Sequence, residues 1–409
     1  MMAKGPAADA ALQSVSGTVR ISLDVQSCAP YVDKTVGSVT SIMKNTPPPH
    51  GEAAGMDPQR IALAEVEMLT NVVHQIRAFA IGISASAKTI QISTYLSAVP
   101  GTTFGKTLKG LQPVSDRYVS LLPDNSLAYM AGNGTQVFED LIDPYADLMG
   151  EIYAAAIPDS ANAIARMKQS LQELKGAYAG DFASAVIAKP DGKGFALVQA
   201  AALKDPVIME KFMAGMIADY REIYGKFSPG ISIFQGTERK YRDKTVHAYG
   251  YSVNKSAPGF TPNPFSDLFT IQSNQWAIVG KDMLYVMGSP AQMNTAIDGL
   301  SRSGGATNSI LFRRLFPQLT VKPVTVFSFS PMSMLKAILA SVPNTDPQVL
   351  ATIPVSQGGV AGYTYKSGDG IAGYTRISIS EVEAVKQSAA TLGMMLMQSM
   401  MSGAAGMPM

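Results

Sequence analysis

The clearest indication of the fold comes from residues 359–380, GVAGYTYKSGDGIAGYTRISIS. Two runs rich in β-branched and aromatic residues flank the sequence SGDG at 367–370, and Asp-Gly is typical of a tight turn between antiparallel strands. Ser380 and Glu383 then form a Ser-x-x-Glu capping box, which marks the start of a helix. This segment therefore predicts a β-hairpin followed directly by a helix.

The same order of strands and helices recurs along the chain. Further hairpins are predicted at 81–98, 181–202 and 275–287. Three helices are predicted to start at Asp205–Pro206, Ser289–Pro290 and Ser330–Pro331. In each pair the side-chain oxygen can accept a backbone N–H, and proline has no N–H to leave unpaired. The pattern predicts an α+β fold of repeated antiparallel β-hairpins with helices packed on one face.

Two pairs of segments favour an internal duplication. Thr18–Val39 is similar to Val324–Val342 in its order of strand, turn, proline and helix. Ile81–Leu108 is similar to Val360–Ser388 in its hairpin and following helix. Such repeats indicate duplicated modules. We expect a flexible N-terminal segment at 1–15, a first α+β domain of two modules at 16–225, a second α+β domain at 226–390 and a methionine-rich tail at 391–409.

Composition excludes several classes of protein. Hydrophobic residues make up 46% of the 409 residues and charged residues 16%, so the chain has enough apolar surface to build a core. Lys and Arg number 33 against 31 Asp and Glu, which is not the basic surplus of a nucleic-acid-binding protein. One cysteine and three histidines exclude an internal disulfide framework and leave little material for a metal site, so we expect no cofactor.

Location is predicted from weaker signals. The first residues, MMAKGPAADAALQSV, lack the continuous apolar run of a signal peptide. No stretch reaches the roughly 18 apolar residues of a transmembrane helix. The low charge and the many small polar residues favour an extracytoplasmic protein, periplasmic or secreted, whose leader is not in the sequence as given. A cytoplasmic location is the alternative.

Two segments carry a resemblance to a known group of proteins. Leu122–Ser126 reads Leu-Pro-Asp-Asn-Ser, and Gly362–Val385 combines closely spaced tyrosines with a following Ile-Ser and valine. With the hairpins and proline-capped helices, they make the chain similar to large bacterial secreted or periplasmic proteins that carry domains of unknown function. The resemblance extends over most of the chain but rests on no specific motif, and it implies no catalytic residues.

Cys28 is the candidate nucleophile. It lies where a strand is expected to lead into a helix, a position that can activate a thiol. A cysteine nucleophile also needs a base, and His50, His74 and His247 belong to different parts of the sequence. His74 also lacks a second metal ligand three or four residues away. A small buried residue is the favoured interpretation of Cys28.

His247, Tyr249 and Tyr251 form the candidate ligand-binding row, because they share one face of a predicted strand. Aromatic rings on one face can stack on sugars or apolar ligands. The favoured alternative is an ordinary cross-strand ladder of aromatic residues.

Three other polar clusters are predicted to be structural. The acidic residues at 139, 143, 147 and 151 fall at four-residue steps on a predicted helix. Calcium ligands usually lie on irregular loops, so a solvated face is favoured over a metal or acid–base site. The basic run at 239–244 is predicted to be a solvated hairpin tip, and Gly-Asn-Gly-Thr at 132–135 to be a helix cap.

The C-terminal tail has its own alternatives. Methionines are concentrated at 394–409. An apolar helix with a disordered end is favoured, ahead of docking to a partner and of Cu(I) binding by thioethers.

No reactive cluster is favoured over its structural interpretation. We therefore expect a non-catalytic extracytoplasmic binding or structural protein. Two alternatives stay open: a carrier of a hydrophobic or lipid ligand in a groove between sheet and helices, and a hydrolase that uses Cys28 or the acidic helix face. The expected partners are protein or a hydrophobic ligand, and not nucleic acid.

Overall fold

The protein is described here by a computed structural model. It describes residues 6–45, 63, 66, 70–115, 118, 126–134, 139–140, 142–143, 145–147, 149–150, 161–189, 195–227, 230–254, 256–257, 273–300, 316–341, 345, 347–354 and 358–388. These residues form a mixture of helices and strands around one large sheet.

The sheet is antiparallel and has 14 strands. They are β1 (Val19–Asp24), β2 (Ile76–Ala85), β3 (Thr89–Ala98), β4 (Ser126–Asn133), β5 (Tyr178–Ala188), β6 (Phe195–Leu203), β7 (Ile231–Gln235), β8 (Arg239–Tyr241), β9 (Lys244–Val253), β10 (Asn274–Val279), β11 (Asp282–Met287), β12 (Thr325–Phe329), β13 (Val360–Ser367) and β14 (Gly370–Ser378). Their order is β1-β2-β3-β14-β13-β12-β4-β5-β6-β11-β10-β9-β7, with β8 beside β9. The strands of the four predicted hairpins pair antiparallel, as β2–β3, β5–β6, β10–β11 and β13–β14.

Strands from the two segments predicted as separate domains lie side by side. β14 pairs with β3, β12 with β4, and β11 with β6. Antiparallel neighbours exchange backbone hydrogen bonds across each seam. Residues 16–225 and 226–390 therefore contribute to one continuous sheet.

Helices connect and cover the strands. They include α1 (Pro6–Gln13), α2 (Val25–Asn45), α3 (Thr103–Gly110), α4 (Ala161–Glu173), α5 (Pro206–Phe227), α6 (Pro290–Gly299), α7 (Pro331–Ser341) and α8 (Pro347–Thr352). Two predicted helix starts are confirmed by their caps. Asp205 Oδ1 accepts the N–H of Val207 at 2.9 Å, and Ser289 forms a capping box with Gln292.

The two N-terminal helices differ from expectation. α2 begins at Val25, because Asp24 Oδ1 accepts the N–H of Ser27 at 3.3 Å and so caps the helix directly after β1. Pro30, predicted to open this helix, lies inside it. α1 occupies residues that were expected to be flexible, and its Ala11 is fully buried against β2.

Helices pack on both faces of the sheet, and not on one face as predicted. On β10, Trp276 belongs to a buried cluster with Met209 of α5, whereas the next residue, Ala277, belongs to a cluster with Met293 of α6. Neighbouring residues of a strand point to opposite faces, so α5 and α6 cover opposite faces. The reason is that β10 and β11 are apolar on both faces, so both faces are buried against helices.

The helical residues 379–388 begin at Ile379, so Ser380 already lies inside the helix and the predicted capping box of Ser380 and Glu383 is wrong. Ser378 Oγ, and not Ser380, accepts the N–H of Glu381 at 3.2 Å. The Glu381 side chain caps a different helix, because its Oε1 accepts the N–H of Met332 in α7 at 2.9 Å. A carboxylate there satisfies a donor that has no partner within its own helix. Glu381, which is 1% exposed, thus fastens residues 379–388 to α7.

Replacing Glu381 with alanine is expected to lower the free energy of unfolding by about 2 kcal/mol, because the Met332 N–H loses its acceptor in a buried place. Glu383→Ala is the matched control, since Glu383 is exposed in the same helical segment. It should change the free energy of unfolding by less than about 0.5 kcal/mol. Urea unfolding followed by circular dichroism measures both; equal effects would contradict the capping role.

Candidate ligand-binding groove

An open groove lies between the end of α3, the segment before β12 and the end of β13. Its volume is about 490 Å³, within the roughly 300–1,000 Å³ of small-molecule sites. Its apolar and aromatic lining residues are Leu111, Pro113, Val321, Val324 and Tyr365, and its polar ones are Gln112, Lys322 and Lys366. We call this site the α3 groove.

Backbone hydrogen bonds hold the walls of the α3 groove together. The Val114 N–H donates to Pro323 O at 2.8 Å and joins the segment after α3 to the segment before β12. The Val324 N–H donates to Thr364 O at 2.7 Å and joins that segment to β13. Because the walls are tied to each other, no ligand is needed to assemble them, which lowers the entropic cost of binding.

The floor of the groove is apolar for a structural reason. Leu111 and Val324 belong to a buried cluster that also contains Ala98 at the end of β3 and Leu108 of α3. This cluster packs α3 against the sheet edge formed by the strand ends. The groove is therefore the open side of a small core, and an apolar ligand there would extend that core.

Two lysines stand on the rim of the groove. Lys366 Nζ donates to Lys109 O at 2.8 Å, in the last turn of α3, where the helix dipole favours a cation. Lys322 is exposed and forms no ion pair with a described residue. Neither ammonium is neutralised by a described carboxylate, so the rim carries positive charge beside an apolar floor.

Tyr365 connects the groove to a row of tyrosines. Its ring centroid lies 6.4 Å from that of Tyr374, with the planes 11° apart, and 6.0 Å from that of Tyr363. Burial raises the pKa values of Tyr363 and Tyr365 above the ordinary tyrosine value. These hydroxyls therefore stay neutral at physiological pH, and the rings offer an uncharged wall to a ligand.

The predicted ligand row lies elsewhere, on the sheet face that α5 covers. The His247 ring stacks on Trp276 at a centroid distance of 4.0 Å, and its Nδ1 lies 2.7 Å from Glu238 Oε1. Tyr249 and Tyr251 pack against the α5 side chains in a buried cluster, and Tyr249 is 8% exposed. The structure thus places the three residues as members of a cross-strand aromatic ladder, and their role as a ligand site stays a prediction.

Buried tyrosines of this cluster satisfy one another. The Tyr249 hydroxyl donates to the Tyr285 hydroxyl at 3.3 Å, and the Tyr285 hydroxyl donates to Asn274 Oδ1 at 2.6 Å. Burial raises the pKa values of both Tyr249 and Tyr285. Tyr178 packs against the same cluster, and burial raises its pKa to about 12.

This burial predicts a loss of stability at alkaline pH. Tyr178 in the unfolded chain loses its proton near its ordinary pKa of 10.0, whereas in the folded protein it keeps it up to about 12. The folded state is therefore favoured fully below pH 10.0, and this contribution is lost as the pH rises through about 12. Urea midpoints measured across this range should fall less steeply for Tyr178→Phe than for the wild type. Parallel curves would contradict the assignment.

The structure does not join Cys28 to a base. Cys28 is half-buried near the start of α2, and no hydrogen bond links it to a described histidine. His74 Nε2 instead lies 2.8 Å from Asp33 Oδ1, and His50 lies outside the described residues. Among the described residues, no group of three or more His, Cys, Asp or Glu side chains is placed to hold a metal ion.

Two of the acidic residues on the predicted helix form ion pairs with basic groups. Asp143 forms an ion pair with Lys175, and Asp147 forms one with Lys168. Residue 151 lies outside the described part of the chain, as does the methionine-rich tail. Paired carboxylates on a half-exposed helix are typical of a structural surface.

The basic run at 239–244 is more ordered than the predicted solvated tip. Its first residues form β8, and Arg242 and Asp243 adopt positive φ values of 46° and 60°, as a tight hairpin turn requires. Arg239 Nη1 donates to Asn294 Oδ1 at 2.7 Å, and Arg242 Nε lies 3.0 Å from Asp298 Oδ1. Both guanidinium groups therefore bind α6.

The glycine-rich turn after β4 is also part of the sheet framework. The Gly134 N–H donates to Gly180 O at 2.9 Å, so this amide is not available to an anion. Thr135 of the predicted cap lies outside the described residues.

The residues of the α3 groove were not predicted from the sequence. They come from 111–113, 321–324 and 365–366. More than two hundred residues of chain separate the first of these segments from the second. No local motif signals such a site, although Tyr365 and Lys366 lie in the predicted hairpin at 359–380.

Comparisons with known proteins give no relative from which a role of the groove could be inferred. No known protein family, curated protein or solved structure matches the chain. In the part of the chain that the structure describes, no helix has both the length and the apolar character needed to cross a membrane.

Proposed function

We propose that the protein is a non-catalytic, extracytoplasmic binding protein, and that the α3 groove takes an amphiphile with an apolar chain and an anionic head. The observation that carries the proposal is the combination of an apolar floor with two lysines on the rim. Leu111, Val321 and Val324 supply apolar contact, while Lys322 and Lys366 stand where a negatively charged head would lie. This deepens the carrier interpretation of the sequence.

The chemistry of the groove favours this ligand over a fully apolar or fully polar one. An apolar chain gains free energy in proportion to the apolar area that it removes from water, about 25 cal/mol per Å². An anionic head gains from Lys322, which has no described ion-pair partner, without displacing an existing bond. A sugar would leave the apolar floor without a partner.

The competing interpretations have less support. The hydrolase interpretation needs a base beside Cys28 or an unpaired acidic face at 139–151. His74 is bonded to Asp33, and Asp143 and Asp147 form ion pairs with lysines, which favours structural roles for these residues. A purely structural role does not account for an open groove with pre-formed walls. The extracytoplasmic location rests on the low charge of the chain, 16% of residues, and is part of the proposal.

We also infer that the sheet arose from duplicated modules of one strand, a helical connection and a hairpin. The triplet β1-β2-β3 meets the triplet β14-β13-β12 in reversed order across the β3–β14 seam. In each triplet the first strand is followed by a helix before the hairpin. Superposition of residues 76–98 on 360–378, extended to the first strands, tests this; triplets that do not match in backbone path would contradict it.

Native mass spectrometry tests the proposed ligand class. The protein is purified without detergent and examined before and after incubation with laurate, a fatty acid. We expect a fraction of the molecules to carry one additional mass, either a copurified anionic lipid or the added laurate. A spectrum that shows only the bare protein in both samples would contradict the proposal.

A further inference from the structure

The edge strand β1 exposes a row of apolar side chains. β1 pairs with β2 in an unbroken register from Val19↔Ile83 to Asp24↔Ala78, and none of the described strands lies on its other side. Its side chains on one face, Val19, Ile21 and Leu23, are 57%, 54% and 44% exposed. An edge strand offers its free backbone N–H and C=O groups to any strand that can pair with it.

At the opposite edge of the sheet, a side chain binds to the backbone of the edge strand. On β7, Arg221 Nε donates to the carbonyl oxygen of Ile233 at 2.9 Å. Among the described residues, no side chain bonds to the backbone of β1. The strand also has no proline and no bulge, which are two of the devices that prevent edge-to-edge association.

We propose that β1 pairs antiparallel with β1 of a second copy of this chain. The sequence of the strand, VRISLD, is self-complementary about Ser22. When Ser22 lies opposite Ser22 of the second copy, Arg20 lies opposite Asp24 and Ile21 lies opposite Leu23, each of them twice. In a two-fold arrangement, opposed residues share one face of the sheet. The charged pairs therefore fall on one face and the apolar pairs on the other.

The charges select this register over its neighbour. A shift of two residues would place Ile21 opposite itself and Arg20 opposite Ser22, which leaves both charges without a partner across the strands. Opposite charges that face each other across strands stabilise a pair, and like charges destabilise it. Charge complementarity and the exposed apolar row thus identify a second copy as the occupant, and the sheet continues from one molecule into the other.

Charge exchange tests the proposal. Wild-type protein is expected to sediment as a dimer at about 100 µM and to dissociate on dilution or at high salt. Arg20→Asp places Asp opposite Asp24, and Asp24→Arg places Arg opposite Arg20, so each variant alone should be monomeric. An equal mixture of the two variants restores both opposite-charge pairs and should form a heterodimer.

Each possible result of this experiment either supports or overturns the proposed pairing of β1 with a second β1. A monomeric wild type at about 100 µM, dimers of either single variant, or a mixture that stays monomeric would each overturn the proposal. Circular dichroism controls for folding, because Asp24 also caps α2 through the N–H of Ser27.

A disulfide provides a second measurement that leaves both charges in place. Residue 22 lies on the two-fold axis, and Cα atoms directly opposite in antiparallel strands are about 4.5–5.5 Å apart, within disulfide reach. Ser22→Cys in a Cys28→Ser background should form a cross-linked dimer in air. The matched control, Ser86→Cys in the β2–β3 turn, should stay monomeric on a non-reducing gel; equal cross-linking of both would overturn the proposed register.

Discussion

Substitution of Trp276 by alanine is expected to lower the free energy of unfolding by about 4 kcal/mol, the largest loss of stability that we predict for a single residue. Trp276 is 2% exposed and lies in the cluster that joins β10 to α5. Its ring also stacks on His247 at 4.0 Å. Alanine would remove these contacts and leave a cavity that the surrounding strands can fill only in part.

Two further substitutions separate packing from other effects. Trp276 Nε1 has no hydrogen-bond partner among the described residues, so Trp276→Phe loses no hydrogen bond and should cost only about 1 kcal/mol. Phe234→Ala is the exposed aromatic control, since Phe234 on β7 is 49% exposed; it should cost no more than about 1 kcal/mol. Urea unfolding measures all three. A Trp276→Ala variant as stable as Phe234→Ala would show that this cluster does not hold α5 to the sheet.

Reversal of both rim charges is expected to weaken binding of an anionic amphiphile by about a hundredfold. In Lys322→Glu/Lys366→Glu, the head group would meet two carboxylates in place of two ammonium groups. The floor formed by Leu111 and Val324 is unchanged, so an apolar chain should still enter. Calorimetric titration with laurate measures the change in Kd.

A matched variant controls for net charge. Lys88→Glu/Lys204→Glu alters the total charge by the same amount, but both lysines are exposed and lie outside the groove. Its Kd for laurate should stay within about twofold of the wild-type value. Equal weakening by the two double variants would show that general attraction, and not the rim of the α3 groove, recognises the head group.

Local parts of this structure were predictable from the sequence because their causes are local. Asp205 and Ser289 cap the helices that follow them, and each cap needs only the next three residues. The hairpin turn at 367–370 likewise depends on its own glycines. At residues 378–381 the predicted capping residue was wrong by two positions. Ser378 and Ser380 carry the same side chain, and which of them caps the helix depends on where β14 ends.

Contacts between residues far apart in the sequence were not predictable, because their causes are not local. Glu381 caps α7 across 49 residues of chain, and no local pattern reveals that pairing. The covering of both sheet faces follows from strands that are apolar on both sides, such as β10, but alternation alone could not show which helix lies on which face. The α3 groove exists only where three remote segments meet.

The most direct test of the binding proposal is calorimetric titration of the wild-type protein with laurate and with dodecanol, which share a chain length and differ in head group. We predict saturable binding of laurate at one site and about tenfold weaker binding of dodecanol. No binding of either ligand, or equal affinity for both, would contradict an apolar groove with a cationic rim as the functional site.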